Sequence, residues 1–203
     1  MKKLVFLICM ATLTVFVACN RDENEKNSII IDGDQLSGIT VFYDDDQGTE
    51  CLVGGNRTEG SCATHKKIRL LFTDGAFAEN VTWPTDYTYV VEITLYSPDL
   101  ESLMAGNYQI MENYDLYYNE DHTGENVGEF WMEIPSREDI YYVFGAEGTF
   151  GVTGELPKLT IDFDVEVGYY EMTPARMEEA PNAWLNASGR VKGTFSKRTI
   201  GRF

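Results

Sequence analysis

Histidine is nearly absent: His65 and His122 are the only two in 203 residues. A hydrolase triad needs a histidine base beside its nucleophile, and neither stands in a motif that would supply one. No Gly-x-Ser-x-Gly elbow, phosphate-cradling loop or dinucleotide-binding glycine fingerprint occurs anywhere. Basic residues are also scarce, with Lys+Arg 16 against Asp+Glu 33 and a net charge of −17. An acidic surface of that size repels nucleic-acid phosphates and anionic lipid headgroups, so no nucleic-acid partner is expected. Long apolar runs are missing except Leu4 to Val17, which falls short of the roughly 20 residues that cross a bilayer. Hydrophobic residues make up 43% and charged residues 24%, a balance that excludes disorder and leaves one ordinary folded domain.

The start of the chain is the most informative stretch. Lys2 and Lys3 precede the apolar run, Ala18-Cys19 closes it, and the polar run Asn20 to Asn27 follows at once. This is the layout of a secretory signal, to be left out of fold reasoning. Val15-Phe16-Val17-Ala18-Cys19 resembles the lipobox of bacterial lipoproteins, which implies a signal peptide over residues 1–18 and lipidation of Cys19. Asn20 is not the Asp of an inner-membrane retention signal, and Asp22-Glu23-Asn24-Glu25 is similar to the acidic surface-export signal of Bacteroidota lipoproteins. The resemblance therefore implies a chain anchored to the outer membrane by lipid, at the cell surface or on the periplasmic side. Residues 19–34 read as the lipidated cysteine and a flexible tether, with one short strand at Ile29-Ile30-Ile31.

Once Cys9 leaves with the signal and Cys19 is lipidated, Cys51 and Cys62 remain in an oxidising compartment, where a disulfide is expected. Such a ring, closing a glycine-rich hairpin tip, contributes about 3 kcal/mol by the chain-entropy model. The rival reading joins Cys51, Cys62, His65 and His122 as a zinc site, but Cys-x10-Cys-x2-His lacks paired-ligand spacing. No metal and no cofactor is expected.

From residue 35 to 203 the chain reads as a single β domain. Period-two segments follow one another between turn residues. Ile39, Val41 and Tyr43 share one face; so do Ile68, Leu70 and Phe72. Tyr87, Tyr89, Val91, Ile93 and Leu95 form a long inward row, with Thr88, Glu92 and Thr94 outward. Phe130, Met132 and Ile134 alternate with Glu129, Trp131 and Glu133. The cleanest case is Leu159, Ile161, Phe163, Val165 and Val167 against Lys158, Thr160, Asp162, Asp164 and Glu166. One face of each strand must be buried and the other solvated. Gly154-Glu155-Leu156-Pro157 reads as a turn into that strand, and Arg190 to Lys197 as the last strand, with Val191 and Phe195 inward. Short turns at Ser97 to Gly106 and Pro174 to Pro181 are the only helical candidates.

Leu103-Met104-Ala105-Gly106-Asn107-Tyr108-Gln109-Ile110, Gly148-Thr149-Phe150-Gly151-Val152, Leu159 to Asp164 and Gly189 to Phe195 together resemble small, mostly uncharacterised Bacteroidota lipoproteins built as β-sandwiches. The expected fold is thus all-β, a mainly antiparallel β-sandwich, with a calycin-like β-barrel as the alternative. The final hairpin is tight in that group, whereas here residues 168–188 read as a long insertion.

Carboxylates are plentiful, yet most alternate outward, so no catalytic residue is assigned and the chain is not read as an enzyme. A glycosidase would need two carboxyl groups facing across a cleft. Two acidic turns could hold calcium. Asp44-Asp45-Asp46 clusters at a strand end, and Asn119 to Gly124 resembles the first half of an EF-hand loop, but Phe130 stands where a bidentate Glu is required. Aromatic residues carry the stronger lead. Trp131 falls on the polar side of its strand, and the insertion brings Tyr169, Tyr170 and Trp184. These four are the candidate ligand contacts, since tryptophan stacks on sugar rings and anchors protein interfaces. The expected function is a non-catalytic binding module of the cell envelope, for a glycan or an envelope partner. The alternative is a structural or adhesin-type component that interacts with other proteins.

Overall fold

The computed structural model describes residues 27–53, 63–111, 121–135, 142–170 and 183–201. Within them the chain forms strands β1 (Ser28–Ile31), β2 (Asp34–Leu36), β3 (Thr40–Asp44), β4 (Thr49–Glu50), β5 (His65–Thr73) and β6 (Val90–Ser97). Then come β7 (Gly106–Ile110), β8 (Val127–Glu133), β9 (Tyr142–Glu155), β10 (Lys158–Tyr170), β11 (Ala183–Thr194) and β12 (Ser196–Lys197). No helix occurs among the described residues.

The all-β expectation holds. The antiparallel sandwich is not confirmed, because the strands pair into one sheet in the order β12-β3-β5-β6-β8-β7-β9-β10-β11-β1-β2, with β4 beside β5. That sheet is mixed: β7 runs parallel to β8 and β12 parallel to β3. It curls into a half-barrel around one large core. Ile68, Leu70 and Phe72 of β5, Val91, Ile93 and Leu95 of β6, Phe130 and Met132 of β8, and Leu159 to Val167 of β10 all join that core. The predicted inner rows are therefore correct except at Tyr87, since strict alternation puts every second side chain on the concave face. Tyr108 is fully buried there, and burial pushes its hydroxyl up to about 12; that hydroxyl donates to Met104 O at 2.7 Å.

Several boundaries move. β1 and β2 belong to the sheet, joined by Asp32-Gly33, where both residues have positive φ, as a two-residue hairpin turn requires. The folded domain therefore starts by Ser28 and not at residue 35. Both flanks of the expected insertion at 168–188 are strand as well: Gly168 stands opposite Trp184 and Tyr169 opposite Ala183, so β10 and β11 extend into it. Residues 171–182, including the turn expected at Pro174 to Pro181, lie outside the described residues. Tyr87 leaves the predicted inward row, because Asp86 adopts φ 54° just before it and regular pairing starts only at Val90.

The half-barrel has two ends. At one lie the entry to β1, the β9–β10 turn, the Pro98–Ala105 loop and Cys51 at the end of β4. At the other lie the Asp32-Gly33 turn, the residue 74–89 loop, and the ends of β8 and β10. We call them the entry end and the far end.

Candidate functional site

The convex face carries the surprises. Alternation places Arg69, Leu71, Glu92, Thr94, Glu129 and Trp131 on it, and a solvated surface is expected there. Arg69, Leu71, Glu92 and Thr94 are instead buried. Arg69 Nε donates to Glu92 Oε1 at 2.7 Å, and Nη2 pairs with Oε2. The remaining Nη1 donates to Ile200 O at 2.9 Å and Gly201 O at 2.5 Å. The C-terminal segment thus lies across the convex face as a strap. Asp44 Oδ2 accepts Ile200 N at 2.8 Å, and Thr82 O accepts Gly201 N at 2.7 Å. A buried guanidinium that satisfies a carboxylate and two carbonyls together leaves little uncompensated charge.

Under the strap sits a second apolar cluster of Phe42, Leu71, Val90 and Ile200, with Phe77, Trp83, Tyr87 and Trp131 packed against it. Phe42 meets Phe77 edge-on at 4.5 Å, and Trp131 meets Trp83 edge-on at 5.7 Å. Trp131 does lie outside the main core, but it is half-buried on this second cluster and is not the free surface tryptophan that alternation implied. Glu133, one residue pair further along the same face, has Oε2 enclosed with no hydrogen-bond partner among the described residues.

Register supplies what the sequence could not. Trp131 stands opposite Phe144, Phe144 opposite Gly168, and Gly168 opposite Trp184. Two tryptophans 53 positions apart therefore share one row across four neighbouring strands, spanning about 14 Å at the usual strand spacing. Tyr170 follows at the same end, opposite Tyr142, while Tyr169 falls in the adjacent row with Val143 and Met132. The side chains of Tyr169, Tyr170 and Trp184 lie outside the described residues, so the structure fixes their backbone positions only.

The other candidates resolve differently. Cys51 is disulfide-bonded and so offers no thiolate to a metal; Cys62, its expected partner, lies outside the described residues, as does Cys19. His65 is fully buried, with Nδ1 2.8 Å from Thr64 Oγ1 and Nε2 2.9 Å from Glu125 O. A carbonyl only accepts, so Nε2 carries the proton and Nδ1 accepts from the threonine hydroxyl. Burial, helped by the neighbouring His122, holds this imidazole below its ordinary value and therefore neutral. His122 pairs with Glu125 at 3.1 Å. Both histidines thus have structural partners.

Among the described residues only Asp44, Asp45 and Asp46 come together with metal-ligand spacing. Asp44, however, accepts from Asp46 N, Gln47 Nε2 and Ile200 N. Lys197 Nζ reaches Asp45 at 2.6 Å and Asp46 at 3.2 Å, and these carboxylates hold the lysine well above its ordinary value. A lysine ammonium already takes the place a cation would occupy. In the second acidic turn, Asp121 Oδ1 accepts Thr123 N at 2.9 Å, which closes residues 121–124 on themselves.

On the convex face Glu92 and Glu129 lie diagonally on adjacent strands, while the exposed Glu147 and Glu166 stand directly opposite each other on β9 and β10. Burial raises Glu129 above the usual carboxylate range, although Tyr96 Oη donates to it at 2.9 Å and Lys67 opposes the shift. Glu92 pairs with Arg69 through both oxygens, and its Oε1 also accepts from Thr94 Oγ1 at 3.3 Å. At the far end of this face, register brings Trp131, the backbone positions of Phe144, Gly168 and Trp184, and Glu133 to one place.

Comparison with protein-family models, with curated proteins and with solved structures finds no match to this chain.

Proposed function

We propose that the chain is a lipid-anchored protein of the bacterial outer membrane, displayed at the cell surface, and that it binds glycan without catalysis through the far end of its sheet. The observation that carries the binding reading is the register row Trp131–Phe144–Gly168–Trp184. Its length matches a few sugar rings. Stacking on indole supplies sequence-tolerant affinity. The anchoring reading rests on the lipobox-like Val15 to Cys19 and on the short interval from Cys19 to Ser28. Nine links cannot reach beyond about 32 Å, so the domain stays close to the membrane. In finer architecture we read the curled sheet as a calycin-like barrel left open between β2 and β12. Its interior is filled by large side chains such as Tyr89, Phe72 and Phe150, which leaves ligand contact to the outside.

A thermal-shift panel on residues 20–203 tests the binding reading, using poly- and oligosaccharides with calcium or with EDTA. A glycan-dependent rise in melting temperature, equal in both buffers, is expected. The second reading is a structural or adhesin-type component, and the short edge strands β2 and β12 favour it, since an unpaired edge can add a partner strand. A flat panel together with specific crosslinks on whole cells would establish that reading instead. Mass analysis of the mature N-terminus from cell membranes tests lipidation of Cys19.

A further inference from the structure

Four large hydrophobic residues are exposed among those described: Ile30, Val81, Leu100 and Met104. Two of them, Leu100 at 44% and Met104 at 42%, stand on the one loop between β6 and β7. That loop is held firmly. Asp99 Oδ1 accepts Glu101 N at 2.9 Å and Oδ2 accepts the Ser102 hydroxyl at 2.6 Å. Met104 N donates to Ser97 Oγ at 3.2 Å, Met104 O accepts from Tyr108 at 2.7 Å, and Leu103 packs into the core. The two apolar side chains are thus presented outward from a fixed turn, at an ordering cost already met by folding.

Register places this loop beside the point where the chain enters. Asn107, just after the loop, stands in one row with Gly151, Asp162, Arg190 and Ser28. Asn27 continues β1 toward the same end, where its Oδ1 accepts Lys192 N at 2.8 Å. Four strand spacings separate Asn107 from Ser28, about 19 Å of sheet, less than the reach of the interval back to Cys19.

We propose that the domain stands on the bilayer by its entry end, with Leu100 and Met104 seated among the headgroups and the far-end tryptophan row directed away from the membrane. The inference rests on the lipid anchor proposed above. A domain already tethered at the surface needs only a small added bias to fix its orientation, and two apolar side chains at the interface supply it. Asp99 and Glu101 on the same loop, with the acidic net charge, make the matching surface a zwitterionic one and not an anionic one.

Met104 is its own probe, because an exposed thioether is oxidised by peroxide to the sulfoxide and a covered one is not. The mature chain is coupled through Cys19 to the outside of maleimide-bearing phosphatidylcholine vesicles, which supplies an anchor whether or not cells add one. Mass analysis of the native N-terminus reports on lipidation separately. A loop seated three-quarters of the time oxidises about fourfold more slowly than in the uncoupled chain, and that slowing is expected at Met104. Leu100→Glu restores the fast rate while leaving coupling intact. A second probe, introduced by Val81→Met at the far end, where the native side chain is 38% exposed, oxidises equally fast in both states. Equal Met104 rates in coupled and free chains, or equal protection of the two probes, would overturn the proposal.

Discussion

The two ends of the half-barrel differ in the balance of contacts that hold them. At the entry end the polypeptide is pinned by directional bonds: the disulfide at Cys51, the Thr64–His65–Glu125 relay and the Asp99 turn. Toward the far end, aromatic side chains pack under a loop and a C-terminal strap, and one buried ion pair clasps them. Directional bonds fix a position, whereas aromatic packing tolerates small rearrangements with little loss. The membrane contact proposed above lies at the first end and the proposed ligand row at the second.

Breaking the clasp should have the largest effect. Arg69→Met leaves the Glu92 carboxylate buried and unpaired, at a cost of about 3–5 kcal/mol by urea unfolding. Arg69→Met with Glu92→Leu should recover most of that loss. Hydrogen exchange should speed up at Ile200 and Gly201 far more than at His65 and Glu125; equal acceleration would erase the distinction between the ends.

Removing the disulfide comes next. Cys51→Ser should cost about 3 kcal/mol, with faster exchange around Leu52 and Thr64 and unchanged near-ultraviolet circular dichroism from the Trp83–Trp131 contact.

Acid sharpens the contrast further. In the unfolded chain His65 takes up a proton near pH 6.5, while the folded site resists it because burial lowers its pKa. Below that pH the unfolded state binds more protons, so stability falls as pH drops. His65→Gln should flatten this slope. Glu129 acts in the opposite sense. Its raised pKa gives stability that is present below the unfolded value and lost as pH rises through the folded one. Glu129→Gln should therefore raise the melting temperature at pH 7 by about 2–4 °C.

The smallest effect is expected at Lys197, whose exposed pairs with Asp45 and Asp46 should be worth less than about 1 kcal/mol in Lys197→Ala.

The concave face was legible in the sequence because strict alternation, as from Leu159 to Val167, states which side is dry. The convex face was not. Glu92, Arg69 and Thr94 look solvated in any window, yet all three are buried, and Arg69 bonds to Ile200 and Gly201, more than 100 residues away. Residues 183–188 escaped recognition as strand because Ala-Trp-Leu-Asn-Ala-Ser neither alternates nor carries β-branched side chains. Trp131 and Trp184 were each picked out singly. Their shared row depends on pairing through β9 and β10, and register between distant strands is set by the fold as a whole.

The account turns on that row. Glycan titration of residues 20–203, followed by thermal shift, should be compared among the native chain, Trp131→Ala and Trp184→Ala. At least one glycan should raise the native melting temperature, and each substitution should abolish the rise while the unliganded far-ultraviolet circular dichroism stays native. The near-ultraviolet spectrum is no control here, since Trp131→Ala removes the Trp83–Trp131 signal. A rise that survives both substitutions, or no rise with any glycan, would contradict the account.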